Sequence, residues 1–165
     1  MIVPDLTFTK DQYIQWLNNK DDVDLVKAMV NYFPFLLPHN RWTDEVSEDY
    51  DYTHNEFDCM PDGWAISFGY EMLCELREAL IEDDYLHKYR ITQIKEKFGS
   101  LRWYDYGATD KVYKIISKYS NLSREVCINC GKPAKYESVG WISYVCEDCA
   151  KLHTWQQYIL INKEE

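Results

Sequence analysis

At 165 residues the chain is long enough for one ordinary core, or for a medium domain carrying a small metal-held module. A hydrophobic share of 46%, with 14 Tyr and 6 Trp, excludes a disordered chain. The net charge of −10 is unevenly spread: residues 1–86 hold 5 Lys/Arg against 19 Asp/Glu, and residues 87–165 hold 13 against 9. An acidic half therefore precedes a mildly basic one, and the overall charge argues against a general nucleic-acid binder.

In chain order, Thr9 opens a short predicted helix through Tyr13, Ile14 and Leu17, and Asp21 to Phe33 gives a second. Pro34 and Pro38 stop it. From Thr43 to Asp62 there are eight acidic residues and no Lys or Arg, which reads as an irregular, solvated segment. Asp62 then caps a long helix to about Ile81, with Trp64, Phe68, Met72, Leu76 and Leu80 recurring every fourth position. This is the expected central helix.

Arg90 to Lys95 and Leu101 to Tyr106 read as the strands of a hairpin around Gly99-Ser100, and Asp110 to Tyr119 as a further helix. That helix buries Val112, Ile115, Ile116 and Tyr119 and shows Lys111, Lys114 and Lys118 as a stripe on its other side. A second, smaller hairpin is expected from Lys135 to Val139 and Trp141 to Val145 around Gly140. A terminal helix from Glu147 is expected to run through Leu152, Trp155, Tyr158 and Ile159.

The strongest motif is Cys127-Ile128-Asn129-Cys130, fifteen intervening residues, then Cys146-Glu147-Asp148-Cys149. Each pair can fold into a tight knuckle aiming two thiolates at one ion, with Gly131 helping the first to turn. Four thiolates fill the coordination sphere of Zn2+ and leave no place for a reactive water, so the expected zinc is single and structural. A redox role is the rival, disfavoured by the two matched pairs. His153, one turn beyond Cys149, is an alternative ligand, more simply read as an exposed histidine.

No catalytic centre is legible. Cys59 has His54 near it in sequence only, and Cys74 falls on the central helix where a small buried side chain is expected. The carboxylates Asp44, Glu45, Glu48, Asp49, Asp51, Glu56 and Asp58 lack the glycine and spacing of a calcium loop, although a metal-dependent hydrolase built on segment 44–58 stays open as an alternative. No stretch approaches the ~20 apolar residues of a membrane span, and Met1 to Asp5 lacks a signal-peptide pattern, so a cytoplasmic protein is expected.

The runs Arg41-Trp42-Thr43, Met60-Pro61-Asp62-Gly63-Trp64, Gln93 to Tyr104 and Cys127 to Ala134 resemble a group of proteins carried by phages and prophages of gut-type bacteria, a likeness spanning most of residues 32–150. The resemblance implies a genomic setting and transfers no catalytic residue. It implies an accessory protein in a bacterial host cell that binds a host macromolecule, a host protein above all, inhibitors of defence systems such as CRISPR nucleases included. Asp44, Glu45, Glu48, Asp49 and Asp51 would then imitate a row of phosphates in a cationic groove. The contrasting expectation is nucleic-acid contact by Lys95, Lys97, Arg102, Lys111, Lys114, Lys118 and Arg124, helped by Trp103 and Tyr104.

The expected fold is thus α+β: an acidic domain over 1–122 with a helical N-terminal region and a central helix on a small β-hairpin, then a zinc-ribbon or knuckle module with a terminal helix over 123–165.

Overall fold

The computed structural model describes residues 6–161. It is an α+β fold of short helices and two small antiparallel sheets. Helix α1 (Lys10–Asn18) starts where the Thr9 side chain accepts from Gln12 N–H and the Gln12 side chain accepts from Thr9 N–H, a reciprocal cap. Helix α2 (Val23–Tyr32) is capped by Asp22 and ends at Phe33, because Pro34 cannot supply the next N–H. The proline instead opens a 3₁₀ turn, Pro34–Leu36, that drives Phe35 and Leu36 into the core.

The central helix comprises α3 (Asp62–Trp64), one π turn (Ala65–Gly69) and α4 (Tyr70–Glu82). Its five apolar positions, Trp64, Phe68, Met72, Leu76 and Leu80, are all buried. In a regular α-helix a spacing of four drifts by roughly 40° per step, so such a stripe would wind off the core. The π turn absorbs the extra residue and brings the stripe back. The Tyr13 hydroxyl donates to the carbonyl of Ala65 at 2.6 Å, which ties α1 to this turn.

Strands β1 (Ile91–Lys97) and β2 (Ser100–Asp105) pair antiparallel with Lys97 opposite Ser100. The connection is therefore the two residues Phe98 and Gly99, with φ of 53° and 77°. Both positive values identify the turn whose twist matches a hairpin. Ile94, Leu101 and Trp103 face inward, and Trp103 Nε1 donates to the Tyr89 hydroxyl, which donates on to Asp105. Helix α5 (Asp110–Leu122) lies along β2, where Ser120 donates to Leu101 O and Ser123 accepts from Leu101 N–H, each at 2.9 Å.

The last segment forms a three-stranded sheet in the order β4-β3-β5, from Tyr144–Val145, Tyr136–Ser138 and Tyr158–Leu160. Helix α6 spans only Glu147–Leu152. The expected helix through Ile159 stops early because Tyr158 to Leu160 instead satisfy the free edge of β3, with Glu137 opposite Ile159. Periodicity reads apolar spacing and cannot see an unpaired strand edge elsewhere in the chain.

Candidate metal centre and charged surfaces

Cys127 and Cys130 sit on a knuckle closed by Cys127 N–H donating to Lys132 O at 2.7 Å and Gly131 N–H donating to Cys127 O at 3.0 Å. Ile128 N–H donates to Tyr144 O, which ties the knuckle to β4. Cys146 is the N-cap of α6 and its sulfur accepts from Cys149 N–H at 3.4 Å, so the second pair is held by a helix start and not by a second hairpin. Of the two forms expected from sequence, a ribbon or a knuckle, the arrangement of knuckle, hairpin and helix is the latter.

The four sulfur atoms lie within 4.8 Å of one another, with Cys130 and Cys146 3.5 Å apart. A tetrahedron of 2.3 Å metal–sulfur bonds has edges of about 3.8 Å, whereas a disulfide needs about 2.05 Å. The cluster can thus hold a metal ion, and no pair is bonded. Burial raises the Cys127 thiol, but N–H groups of Cys146, Cys130 and Asn129 aimed at it outweigh that and bring it to about 7. Lys132 pairs with Asp148 at 3.1 Å across the two knuckles. His153 lies outside the cluster, its ring edge-on to Trp155.

Among the described residues no other three His, Cys, Asp or Glu side chains converge on a point, the 44–58 carboxylates included. Asp44, Glu45, Glu48, Asp49 and Asp51 are all exposed. Asp44 pairs with Arg90 at 3.2 Å, and Asp51 accepts from the Thr53 hydroxyl and N–H, which holds its carboxyl below the usual range. Glu45, Glu48, Asp49 and Asp51 line an open cleft of about 600 Å³ with His39, Tyr50 and His54 among its walls. No cation lies within ion-pair distance of these four among the described residues.

The loop is not slack: Asn40 Oδ1 accepts from Trp42 and Thr43 N–H, Arg41 donates to Thr92 O, and Tyr50 donates to His54 O. At its tip Trp42 is 96% exposed. Sequence reasoning did not single out Trp42 as an exposed surface feature, although a tryptophan beside an acidic run with no apolar partner at helical or strand spacing is a readable signal.

The lysine stripe of α5 meets a glutamate stripe on α4. Lys111 pairs with Glu82 at 2.9 Å and Asp83 at 3.4 Å, Lys118 with Glu75 at 2.7 Å, and Lys114 shares a shallow groove with Glu75, Glu78 and Glu82. These lysines serve a seam between antiparallel helices. Lys95, Lys97, Arg102 and Arg124 have no carboxylate partner among the described residues. Trp103 is buried, and Tyr104 is exposed. Cys74 is half-buried, with its thiol raised by burial, and Cys59 is exposed.

The seam has a pH signature. Burial raises the Glu75 carboxyl, but hydrogen bonds from Lys118 and Tyr119 outweigh it and leave the group below its ordinary 4.5. The folded state then binds its proton later than the unfolded chain. Its contribution is complete above 4.5 and disappears as pH falls through the lower folded value. The melting temperature should drop as pH falls below 4.5, and Glu75→Gln should flatten part of that drop; equal slopes would remove Glu75 from the account.

No helix of the described residues is long and apolar enough to cross a membrane. No family model, curated protein or solved structure matches the chain.

Proposed function

We propose that this chain is a non-enzymatic binding protein, stabilised by one structural Zn2+ on Cys127, Cys130, Cys146 and Cys149, that engages a basic surface of a protein partner through its acidic cleft and Trp42. The observation that carries the reading is the set of unneutralised carboxylates on a loop braced by its own turns. Such groups lose little freedom on binding and attract a cationic surface over a distance. An exposed tryptophan beside them supplies the apolar anchor on which protein interfaces concentrate their energy.

Four thiolates favour zinc and exclude an open coordination site, and paired free thiols suit the reducing cytoplasm. In the phage setting implied by the resemblance, the partner is a host protein, with a defence nuclease as one fit. Its cationic nucleic-acid groove would accept the fixed carboxylates in place of phosphates.

The test is capture of partners by the tagged protein from nuclease-treated host lysate at low and moderate salt, repeated with Trp42→Ala and with Glu45→Gln, Glu48→Gln and Asp49→Asn combined. A partner retained by the native chain should weaken with salt and lose at least about tenfold in affinity with either variant. Both variants should melt within about 0.5 kcal/mol of the native chain, since these side chains support nothing else. A partner bound equally by all three proteins would sink the reading.

A further inference from the structure

Phe98 occupies the first position of the two-residue hairpin turn at φ 53°, a backbone region that bulky side chains avoid and that asparagine or glycine normally fills. Such strain is usually offset by packing, yet Phe98 is 66% exposed. Across from it Trp141, between β3 and β4, is 79% exposed. The two rings come from separate elements and line one cleft of about 410 Å³ together with Gly140, Ile142, Lys95, Lys97 and Glu96, whose carboxylate is engaged by Gly99 N–H at 2.7 Å.

The cleft is held open by the fold. Gly99 is packed so closely that a Cβ there would lie 2.7 Å from the Tyr144 ring and 3.1 Å from Ile142, so the hairpin tip is seated on the metal-held module and the two aromatics keep a fixed spacing. Lys95 also lies opposite Arg102 on the paired strand and over the Tyr104 ring at 5.5 Å. Cations without carboxylate partners thus alternate with exposed rings along one face of the hairpin. The acidic loop abuts the other end near Thr92, roughly 20 Å away by strand rise.

A ligand that is planar, apolar on its faces and anionic along its length satisfies both features. We propose that Phe98 and Trp141 form a stacking site for a base of single-stranded nucleic acid, with Lys95, Lys97 and Arg102 against its phosphates. A duplex fits less well because its bases already stack on each other. The site is independent of the acidic cleft.

The test uses the zinc-loaded full chain and labelled homopolymers of thymidine and of uridine, about twelve nucleotides long, in polarisation titrations across salt. The native chain should bind both, with log Kd rising against log salt by about 0.7 for each phosphate neutralised. Trp141→Ala and Phe98→Asn should each weaken binding about tenfold. Phe98→Asn should at the same time melt higher, because it installs the favoured Asn-Gly pair, so a loss of binding cannot be ascribed to misfolding. Lys95→Gln with Lys97→Gln should lower the salt slope. Absence of binding at low salt, equal affinity for a duplex, or affinity unchanged by both aromatic variants would overturn the proposal. So would a peptide that occupies the cleft where neither homopolymer binds.

Discussion

Cys127→Ser is expected to abolish stoichiometric zinc binding and unfold the C-terminal segment while leaving the larger core in place. Among the described residues the buried cluster around the candidate metal centre is Cys127, Val145, Cys146 and Cys149, edged by half-buried side chains such as Tyr136 and Tyr158. A core with one fully buried aliphatic residue cannot offset the entropy of ordering the segment at about 1–2 kcal/mol per residue. A structural zinc site contributes roughly 10–16 kcal/mol, several times what burying one valine side chain adds. The helices and first hairpin share a separate cluster running from Phe8 to Val126, with Trp16, Trp64 and Tyr89 inside it. Metal analysis should therefore find one zinc in the native chain and a loss in the variant far beyond the 10–100-fold typical of an outer-sphere partner. Amide exchange should lose protection over 127–161 and keep it in α1, α2 and α4. Retention of one tightly held zinc by the variant, or full protection of the segment after chelation, would refute the structural role.

Most of this architecture is legible in the sequence, and where it is not the cause is tertiary. The cysteine spacing fixes which thiols converge, because a tetrahedral ion admits few arrangements of two Cys-x-x-Cys pairs. The helix announced by Thr9 forms where that cap puts it, and the second, expected over Asp21 to Phe33, runs from Val23 to Tyr32 with Asp22 as its cap. The central helix begins one residue earlier than the expected cap implies, with Pro61 at the cap and Asp62 as the first helical residue, paired with Lys20. Its π turn is hidden in the strict four-residue spacing, visible only if the drift of a 3.6-residue helix is reckoned. Strand β5 is invisible to local pattern, since it is defined by its pairing to β3. The charged surfaces are least legible: Lys111 and Lys118 look free until α4 lays Glu75 and Glu82 against them, whereas nothing local distinguishes Lys95 and Arg102, which have no carboxylate partner among the described residues.

Gly63→Ala should destabilise the protein by about 2–4 kcal/mol without displacing the metal. Pro61 caps the central helix without a side-chain hydrogen bond, so the first turn looks elsewhere for acceptors, and Gly63 N–H finds Ile128 O at 2.8 Å on the first knuckle. The approach is so close that a Cβ on Gly63 would lie 2.6 Å from Ile128 O and would overlap Cys127 O. Both obstacles are backbone and cannot swing aside, so the knuckle must move outward and break the bond. Overpacking costs about 1–3 kcal/mol and a stranded buried N–H a similar amount, against about 1 kcal/mol gained from alanine's helix propensity. The clash therefore wins, and the melting temperature should fall by roughly 4–16 °C for a chain of this size. The bonds that close the knuckle, Cys127 N–H to Lys132 O and Gly131 N–H to Cys127 O, lie within the cysteine-bearing segment itself. Metal content should accordingly stay at one ion per chain, separating docking of the module from its folding. A variant that melts higher would mean that helix propensity decides the balance and that the knuckle is free to stand off from the helix.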